Sequence, residues 1–523
     1  MNEAELDEYL AGPWGTYREV LAGWAALQPD ALALRDGGRD DAGDLTWGQM
    51  WDRVQRIAAR LVETGLQRGQ PVAILGSSTS NYAMVYLGAV IAGGVAAPLT
   101  TSATKDQLSA MGRDSGARHL FIDRAKAEEL GADFLSELDH IVLDEELDDW
   151  MAPEGTPAPN HTPDKSDPFN IIYSSGTTGP PKGIVHSHAM RWVQFAPTAA
   201  SYRAQEIAVN GLTSTPLYSN TTMVAFLSTL LAGGTVTIMG KFDTVRWLEL
   251  AQDRAISFTM LVPVQYQRLM AEPRFDEFDL SAMRLKYCTS APFSAELKAE
   301  VLRRMPGGLI EIYSMTEGGV VCLLAAHEFP DKLHTVGRPA PGSRLKILDD
   351  QDREVAPGEP GQLVGIGPAM MSGYQNQPGK TREGYWADSD SGETWQRMGD
   401  IGRIDADGFL ELVGRAKDMI ISGGFNIYPV DLENELLAEP EVDEAGVVGV
   451  PSERWGETPV GFVTLVDGAK RDAADIMGAV NERLGKTQRL AMLHAIDEMP
   501  RSHIGKLLKT DLRAMAEELG LPA

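Results

Sequence analysis

Cysteine is nearly absent. The 523 residues hold two, Cys288 and Cys322, too few for a disulfide framework or a thiolate metal cluster. Cys288 precedes a candidate pocket segment, but a small buried thiol is its expected role. The nine His residues are scattered, with neither HExxH nor a paired-His zinc spacing. Positive charge is short too: 47 Lys and Arg stand against 74 Asp and Glu, a net charge of −27. A nucleic-acid or anionic-membrane partner needs a basic face, so neither is expected. An anionic small substrate stays open, because a local site can be positive inside a negative protein. The opening MNEAELDEYL is acidic, where a secretory leader is basic and then apolar; a cytoplasmic chain is expected. Long uncharged runs are rare. Tyr82–Leu99, 18 residues without charge, reaches the edge of transmembrane length but contains Gly93, Gly94 and Pro98. It reads as a buried helix entering a strand, and no integral membrane segment is expected.

What is present fits an ordinary globular protein: 43% hydrophobic and 23% charged residues. The length exceeds one typical core, so two or more domains are expected. Thr46–Leu66 repeats apolar residues at helical spacing, Pro71–Leu75 reads as a buried strand, and Tyr82–Ala92, Val95–Leu99, Lys105–Gly116 and His119–Ile122 continue as helix, strand, helix, strand. Such alternation implies a parallel sheet covered on both faces. Met151–Pro168, rich in Pro, Asp, Thr and Asn, reads as an exposed connector. Phe169–Tyr173 reads as a strand, with a helix opening over His186–Phe195. A second alternating region runs from Thr235–Met239 to Ile310–Tyr313. From Gly337 to Val413, short strands such as Arg344–Leu348 and Gly361–Ile366 between DD, PGEPG and DADG turns suggest a small barrel. After Gly414 the chain restarts with its own strands and helices.

Between Phe169–Tyr173 and that helix lies YSSGTTGPPKG, Tyr173–Gly183: three Gly, two Thr, two Ser, two Pro and one Lys in eleven residues. Gly and Pro break helices and central strands. The run can turn backbone N–H groups, small hydroxyls and an ammonium toward one point, which suits a polyphosphate. It is no Walker A loop, since Gly183 rather than Ser or Thr follows Lys182.

The run resembles the signature loop of the adenylate-forming superfamily, which includes acyl-CoA synthetases. Further matches follow in the family's order: YSMTEG (Tyr313–Gly318), Gly399-Asp400, GRAKDMIISGGFNIYP (Gly414–Pro429) and PRSHIGK (Pro500–Lys506). The resemblance implies a large N-terminal domain, residues 1–416, of two doubly wound α/β subdomains plus a small β-barrel. A mobile α+β C-terminal domain, residues 417–523, would hinge at Lys417. The implied substrates are ATP and a small-molecule carboxylic acid, with Mg2+ and coenzyme A; a homodimer is compatible with it.

Chemistry and resemblance together assign roles. A carboxylate is activated by attack on the α-phosphorus of ATP, so two anions must meet, and the site must supply positioning and positive charge. Ser174, Ser175, Gly176, Thr177, Thr178, Gly179 and Lys182 would hold the β- and γ-phosphates. Tyr313 would face adenine, Thr316 would bond the α-phosphate or the carboxylate, and Glu317 would ligate magnesium; a capped helix start is the plainer reading of that segment. Asp400 would accept the ribose hydroxyls, with Arg415 beside it. Lys506 would reach the reacting groups only with the domains closed. Ile421–Tyr428, with Gly423 and Gly424, would later line a thiol channel, where Trp455 either packs on coenzyme A or is a buried structural residue. The acid pocket, by resemblance, involves Tyr218, Ser219, Asn220 and Met223, with Thr289, Ser290, Ala291, Gly318 and Gly319. No His follows Tyr218, and no Lys or Arg reads as buried there, so a roomy, mostly apolar acid is expected, aromatic or arylalkanoic in type. Delivery to a carrier protein, and binding without turnover, remain alternatives.

Overall fold

A computed structural model describes residues 1–37, 43–135, 138–174, 182–422, 425–452, 455–485, 488–501 and 507–519. Its contacts define two units: Met1–Leu333 with Pro339–Arg344 and Ile366–Gln396, and His334–Arg338 with Leu345–Gly365 and Arg397–Ala523.

In the first unit, Pro71–Leu75 shows why its sheets need cover on both faces. Every residue of this strand is buried. Val72 and Ile74 join one apolar core, Ala73 and Leu75 another. Side chains alternate across a strand, so a run without polar residues is stable only between two layers. Its sheet is ordered Gly373–Tyr374, Lys182–Ser187, Pro168–Ser174, Val95–Pro98, Pro71–Leu75, His119–Ile122, Asp139–Val142. The last five are parallel, and the first two are antiparallel to their neighbours. In the second sheet Gly318–Ala325, Gly308–Met315, Leu285–Cys288, Phe258–Leu261, Asn210–Thr213, Thr235–Ile238, Leu32–Asp36 and Leu45–Thr46 lie side by side. Only the pairs at either end of that series are antiparallel. Helices Ser80–Ile91 and Asn220–Leu231 are buried almost all round. They share one core with Val72 and Phe121 of the first sheet and Val236 and Phe258 of the second. Tyr82–Leu99 is therefore a helix leading into the Val95–Pro98 strand. Among the described residues no helix is long and apolar enough to cross a membrane.

Two expectations need correction. The helix read over His186–Phe195 begins at His188, capped by Ser187, whose side chain accepts from Met190 N. Before it, Lys182–Ser187 forms a strand antiparallel to Pro168–Ser174, with Ser174 opposite Lys182; its alternating Gly183, Val185 and Ile184, His186 suit a pleat better than a helical turn. The connector 151–167 carries no helix or strand, but it is not exposed throughout, since Met151, Ala152 and Ala158 are buried.

Most of a small antiparallel sheet falls in the second unit: Arg344–Leu348, Gly361–Ile366, Thr394–Ile404 and Leu410–Arg415. The same unit holds an α+β sheet ordered Phe425–Ile427, Ile420–Ser422, Gly456–Leu465, Val442–Ser452, with Met492–Ala495 parallel to Gly456–Leu465. Val447 and Val463 pack on helices Pro429–Leu437 and Ala473–Arg483, while Val448 and Phe462 pack on Lys509–Glu518. Lys417 lies in the 3₁₀ turn Ala416–Asp418, between the two sheets of this unit.

Candidate active site

Thr316 and Glu317 form the tip of a hairpin, not a helix start: Gly308–Met315 and Gly318–Ala325 are antiparallel, with Met315 opposite Gly318. The two glycines that follow have φ of +90° and +91°, a region that side chains avoid. A Cβ on Gly318 would also lie 2.0 Å from the Ala369 carbonyl oxygen, so this glycine is required by a close approach. Met371 N donates to the Glu317 carbonyl at 2.8 Å, and the Tyr374 hydroxyl donates to Glu317 Oε1 at 2.8 Å. The Tyr374 ring in turn carries Lys182, with Nζ 5.3 Å from its centroid, a cation–π contact. Burial, then the Glu317 carboxylate, push the Tyr374 hydroxyl above its usual range, which keeps the donated proton on the ring. Glu317 and Lys182, each expected from the sequence as a site residue, both contact Tyr374, which sequence reading missed. Its position depends on the pairing of Gly373–Tyr374 with Ile184 and Val185, and no local pattern announces that. Tyr313 is buried in the same hairpin, opposite Cys322.

Behind the tip lies a second group with no forewarning. His186 and Arg191 are 0% exposed. His186 Nε2 meets the Thr316 carbonyl at 2.8 Å, and Arg191 Nη2 meets His186 Nδ1 at 2.8 Å. Arg191 Nε donates to Asn170 Oδ1 at 2.8 Å, and Nη1 to Gln194 Oε1 at 2.8 Å and Asn220 Oδ1 at 2.7 Å. No carboxylate pairs with Arg191 among the described residues. Burial lowers its pKa; burial, then the Arg191 charge, holds the imidazole well below its ordinary value.

The acid-pocket residues lie around the start of the Asn220–Leu231 helix. Ser219 caps it through Thr221 N. The Thr221 and Ser290 hydroxyls are 2.6 Å apart, and Thr289 Oγ1 donates to the Ile312 carbonyl at 2.6 Å. Ser290 has φ +83°, a strained conformation of the kind that clusters at functional sites. Ala291 is half-buried, Tyr218 is buried, and Met223 sits wholly in the apolar core. No buried Lys or Arg was expected at the acid pocket; among the described residues of this unit Arg191, Lys286 and Lys298 are buried, and of these Arg191 bonds the pocket residue Asn220. All three are engaged: Lys286 Nζ donates to the carbonyls of Met305, Pro306, Gly307 and Gly308, and Lys298 pairs with Glu311.

A separate cleft of about 410 Å³ includes Asp36, Arg53, Asp123 and Asp144 in its lining and none of the expected site residues. In the second unit, Asp400 and Arg415 are opposite each other across two strands, and Arg415 Nε donates to Asp400 Oδ1 at 2.9 Å. Trp455 is 46% exposed, which excludes the buried structural role, and Ile421 is 51% exposed; both flank the Ser422–Gly456 pair. Ser175, Gly176, Thr177, Thr178, Gly179, Gly423, Gly424 and Lys506 lie outside the described residues, as does the side chain of Ser174.

Comparison with known proteins bears on what this geometry serves. The family model described as AMP-binding enzyme matches residues 21–375, and the AMP-binding enzyme C-terminal domain matches 431–506. A feruloyl-CoA synthase from Amycolatopsis sp is 32% identical over 495 residues, covering 94% of this chain and 96% of that protein. An indoleacetate–CoA ligase from Aromatoleum aromaticum is 31% identical over 513 residues, covering 94% and 96%. The crystal structure of ATP-bound MatB from Rhodopseudomonas palustris superposes with a TM-score of 0.85 at 28% identity, over 96% of this chain and 99% of that one. With both family models in order on one chain and relatives matched nearly end to end, the protein belongs to the AMP-binding enzyme family, on the acyl-CoA ligase branch of the adenylate-forming enzymes.

Proposed function

We propose that this enzyme activates an aromatic or arylalkanoic acid with ATP and passes the acyl group to coenzyme A. The observation that carries the reading is the grouping of Lys182, Tyr374 and Glu317 at the Thr316–Glu317 tip. A cation and a carboxylate held side by side suit a polyphosphate with its counter-ion, which supports the reading. The substrate class is supported by the two relatives named for feruloyl-CoA and indoleacetate, and by the engagement of the buried Arg191, Lys286 and Lys298 with protein groups among the described residues.

Attack by a carboxylate oxygen on the α-phosphorus forms the acyl–oxygen–phosphorus link and expels pyrophosphate. The barrier is largely charge repulsion, so groups that hold and neutralise dominate. Thr316 would bond the α-phosphate, Lys182 the outer phosphates, and Asp400 with Arg415 the ribose. Lys506 would enter from a C-terminal domain, residues 417–523, that turns about Lys417. The residues fit a magnesium ion: Glu317 offers a hard carboxylate already oriented through Oε1, and magnesium is commonly held by one or two carboxylates with phosphates and water. Bound there, the ion would neutralise polyphosphate charge. In the second half-reaction the thiol attacks the acyl carbon and AMP leaves. Gly423 and Gly424, lacking side chains, would allow close backbone approach, and exposed Ile421 and Trp455 would offer apolar surface.

The test is a panel of carboxylic acids in ATP–pyrophosphate exchange, followed by addition of coenzyme A. Exchange with aryl acids in the absence of coenzyme A, and thioester only in its presence, is the expected result. Exchange with no acid would refute activation. Exchange without thioester would move the acceptor to a carrier protein.

A further inference from the structure

On that reading of the site, we infer that His186 and Arg191 are positioning residues, a buried relay that fixes the Thr316–Glu317 tip to the start of the Asn220–Leu231 helix. The adenylate-forming tip and the acid-binding helix are thereby held in one register.

Hydrogen-bond chemistry fixes the relay's state. A carbonyl oxygen only accepts, so His186 Nε2 must carry the hydrogen that meets Thr316 O at 2.8 Å. A guanidinium only donates, so Nδ1 must be the acceptor for Arg191 Nη2 at 2.8 Å. Both ends demand the same neutral Nε2–H tautomer. From Arg191 the chain divides, to Asn170 on the Pro168–Ser174 strand and to Asn220, the first residue of the helix, at 2.8 and 2.7 Å. Every link is enclosed at the His186 and Arg191 side chains, both 0% exposed.

Holding a guanidinium there without a carboxylate is expensive, and apolar side chains of like volume would fill the space at lower cost. What apolar packing cannot supply is direction. A buried polar network favours one arrangement over others, and this one links Thr316, which would face the α-phosphate, to Asn220, the first residue of the acid-binding helix. Near-attack geometry between carboxylate and phosphorus depends on the distance between those ends.

Two measurements test this. Proton–nitrogen spectra of the full-length wild-type protein with ring-labelled histidine should show His186 as the neutral Nε2–H tautomer, assigned by its loss in H186Q; an Nδ1–H tautomer or an imidazolium overturns the relay. In pyrophosphate exchange, H186N keeps an acceptor toward Arg191 but withdraws the donor from Thr316. It should lower kcat about tenfold or more, with the acid KM within about threefold of wild type. H186Q, whose amide reaches the Nε2 position but leaves Arg191 without its Nδ1 acceptor, should recover part of that loss. In H186N/N220A the second substitution should add less than about twofold, because both break one chain. Loss in KM alone, no rescue by Gln, or multiplied losses would each overturn the relay. Should wild type support exchange with no acid, the activation reading falls. The tautomer, read without turnover or substitution of the relay, then decides the relay separately.

Discussion

Tyr374 shows how one hydroxyl can orient a carboxylate, here the one proposed to hold magnesium. Its O–H donates to Glu317 Oε1, which restrains the orientation of the carboxylate. Its ring face, meanwhile, holds the Lys182 ammonium. The two functions separate chemically. Tyr374→Phe removes the donor and keeps the ring, so Lys182 stays put while the Glu317 carboxylate gains rotational freedom. A hydrogen bond to a charged group contributes about 1.5–3 kcal/mol, so Tyr374→Phe should raise the magnesium concentration needed for half-maximal exchange by about tenfold or more, with kcat at saturating magnesium little changed. An unchanged magnesium dependence would show that Tyr374 does not orient the ligand.

Lys298 does comparable work between elements. It belongs to helix Ala295–Arg304 and reaches Glu311 Oε2 on strand Gly308–Met315 at 2.5 Å, both side chains nearly sealed from water. Burial pushes the Glu311 carboxyl up from 4.5 to about 7, against the pull of Lys298. A folded pKa above the unfolded one means that the native state holds its proton more tightly. Stability from this group is therefore full below pH 4.5, falls as pH rises, and levels off above about 7. Lys298→Met removes the downward pull of the ammonium and raises Glu311 further, so its stability should keep falling above pH 7 where wild type is level. The cost at pH 8.5 should approach about 3–5 kcal/mol and be clearly smaller at pH 6, by urea unfolding. Lys298→Met with Glu311→Leu should restore most of it; an equal cost at both pH values would contradict a buried carboxylate as the cause. Such pairs mark where sequence reading stops. Arg344–Leu348 and Gly361–Ile366 were readable to the residue, because turn dipeptides punctuate both ends. The helix Trp47–Glu63 was readable from its 3.6-residue stripe and Thr46 cap. The Lys182–Ser187 strand was not, since its pairing with Gly373–Tyr374 is set by residues far along the chain. Arg191 was not either: on a helix, an Arg reads as solvated until tertiary packing closes over it.

At the scale of the molecule, a chain of net charge −27 is proposed to bring two further anions into contact, so each cation it commits has a large effect. Lys182 is built into a strand and anchored on Tyr374. Lys506 belongs instead to the segment matched by the C-terminal family model, at its final residue. On the proposed function, that separation would give the two lysines different kinetic signatures. If the C-terminal domain presents Lys506 for adenylation and then turns the 421–428 segment toward the thiol, Lys506→Ala removes charge stabilisation from one half-reaction only. Loss of a preorganised charge at the reacting phosphate costs about 10²–10³ in rate. Pyrophosphate exchange by Lys506→Ala should fall at least that far, while thioester formation from supplied acyl-adenylate and coenzyme A stays within about threefold of wild type, since that attack occurs at carbon and releases a ready leaving group. Lys182→Ala should show a smaller loss in exchange, expressed mainly as a raised KM for ATP. Equal loss of both half-reactions in Lys506→Ala would mean that one fixed arrangement of the two domains serves both steps, and the proposed rotation about Lys417 would have no part in catalysis.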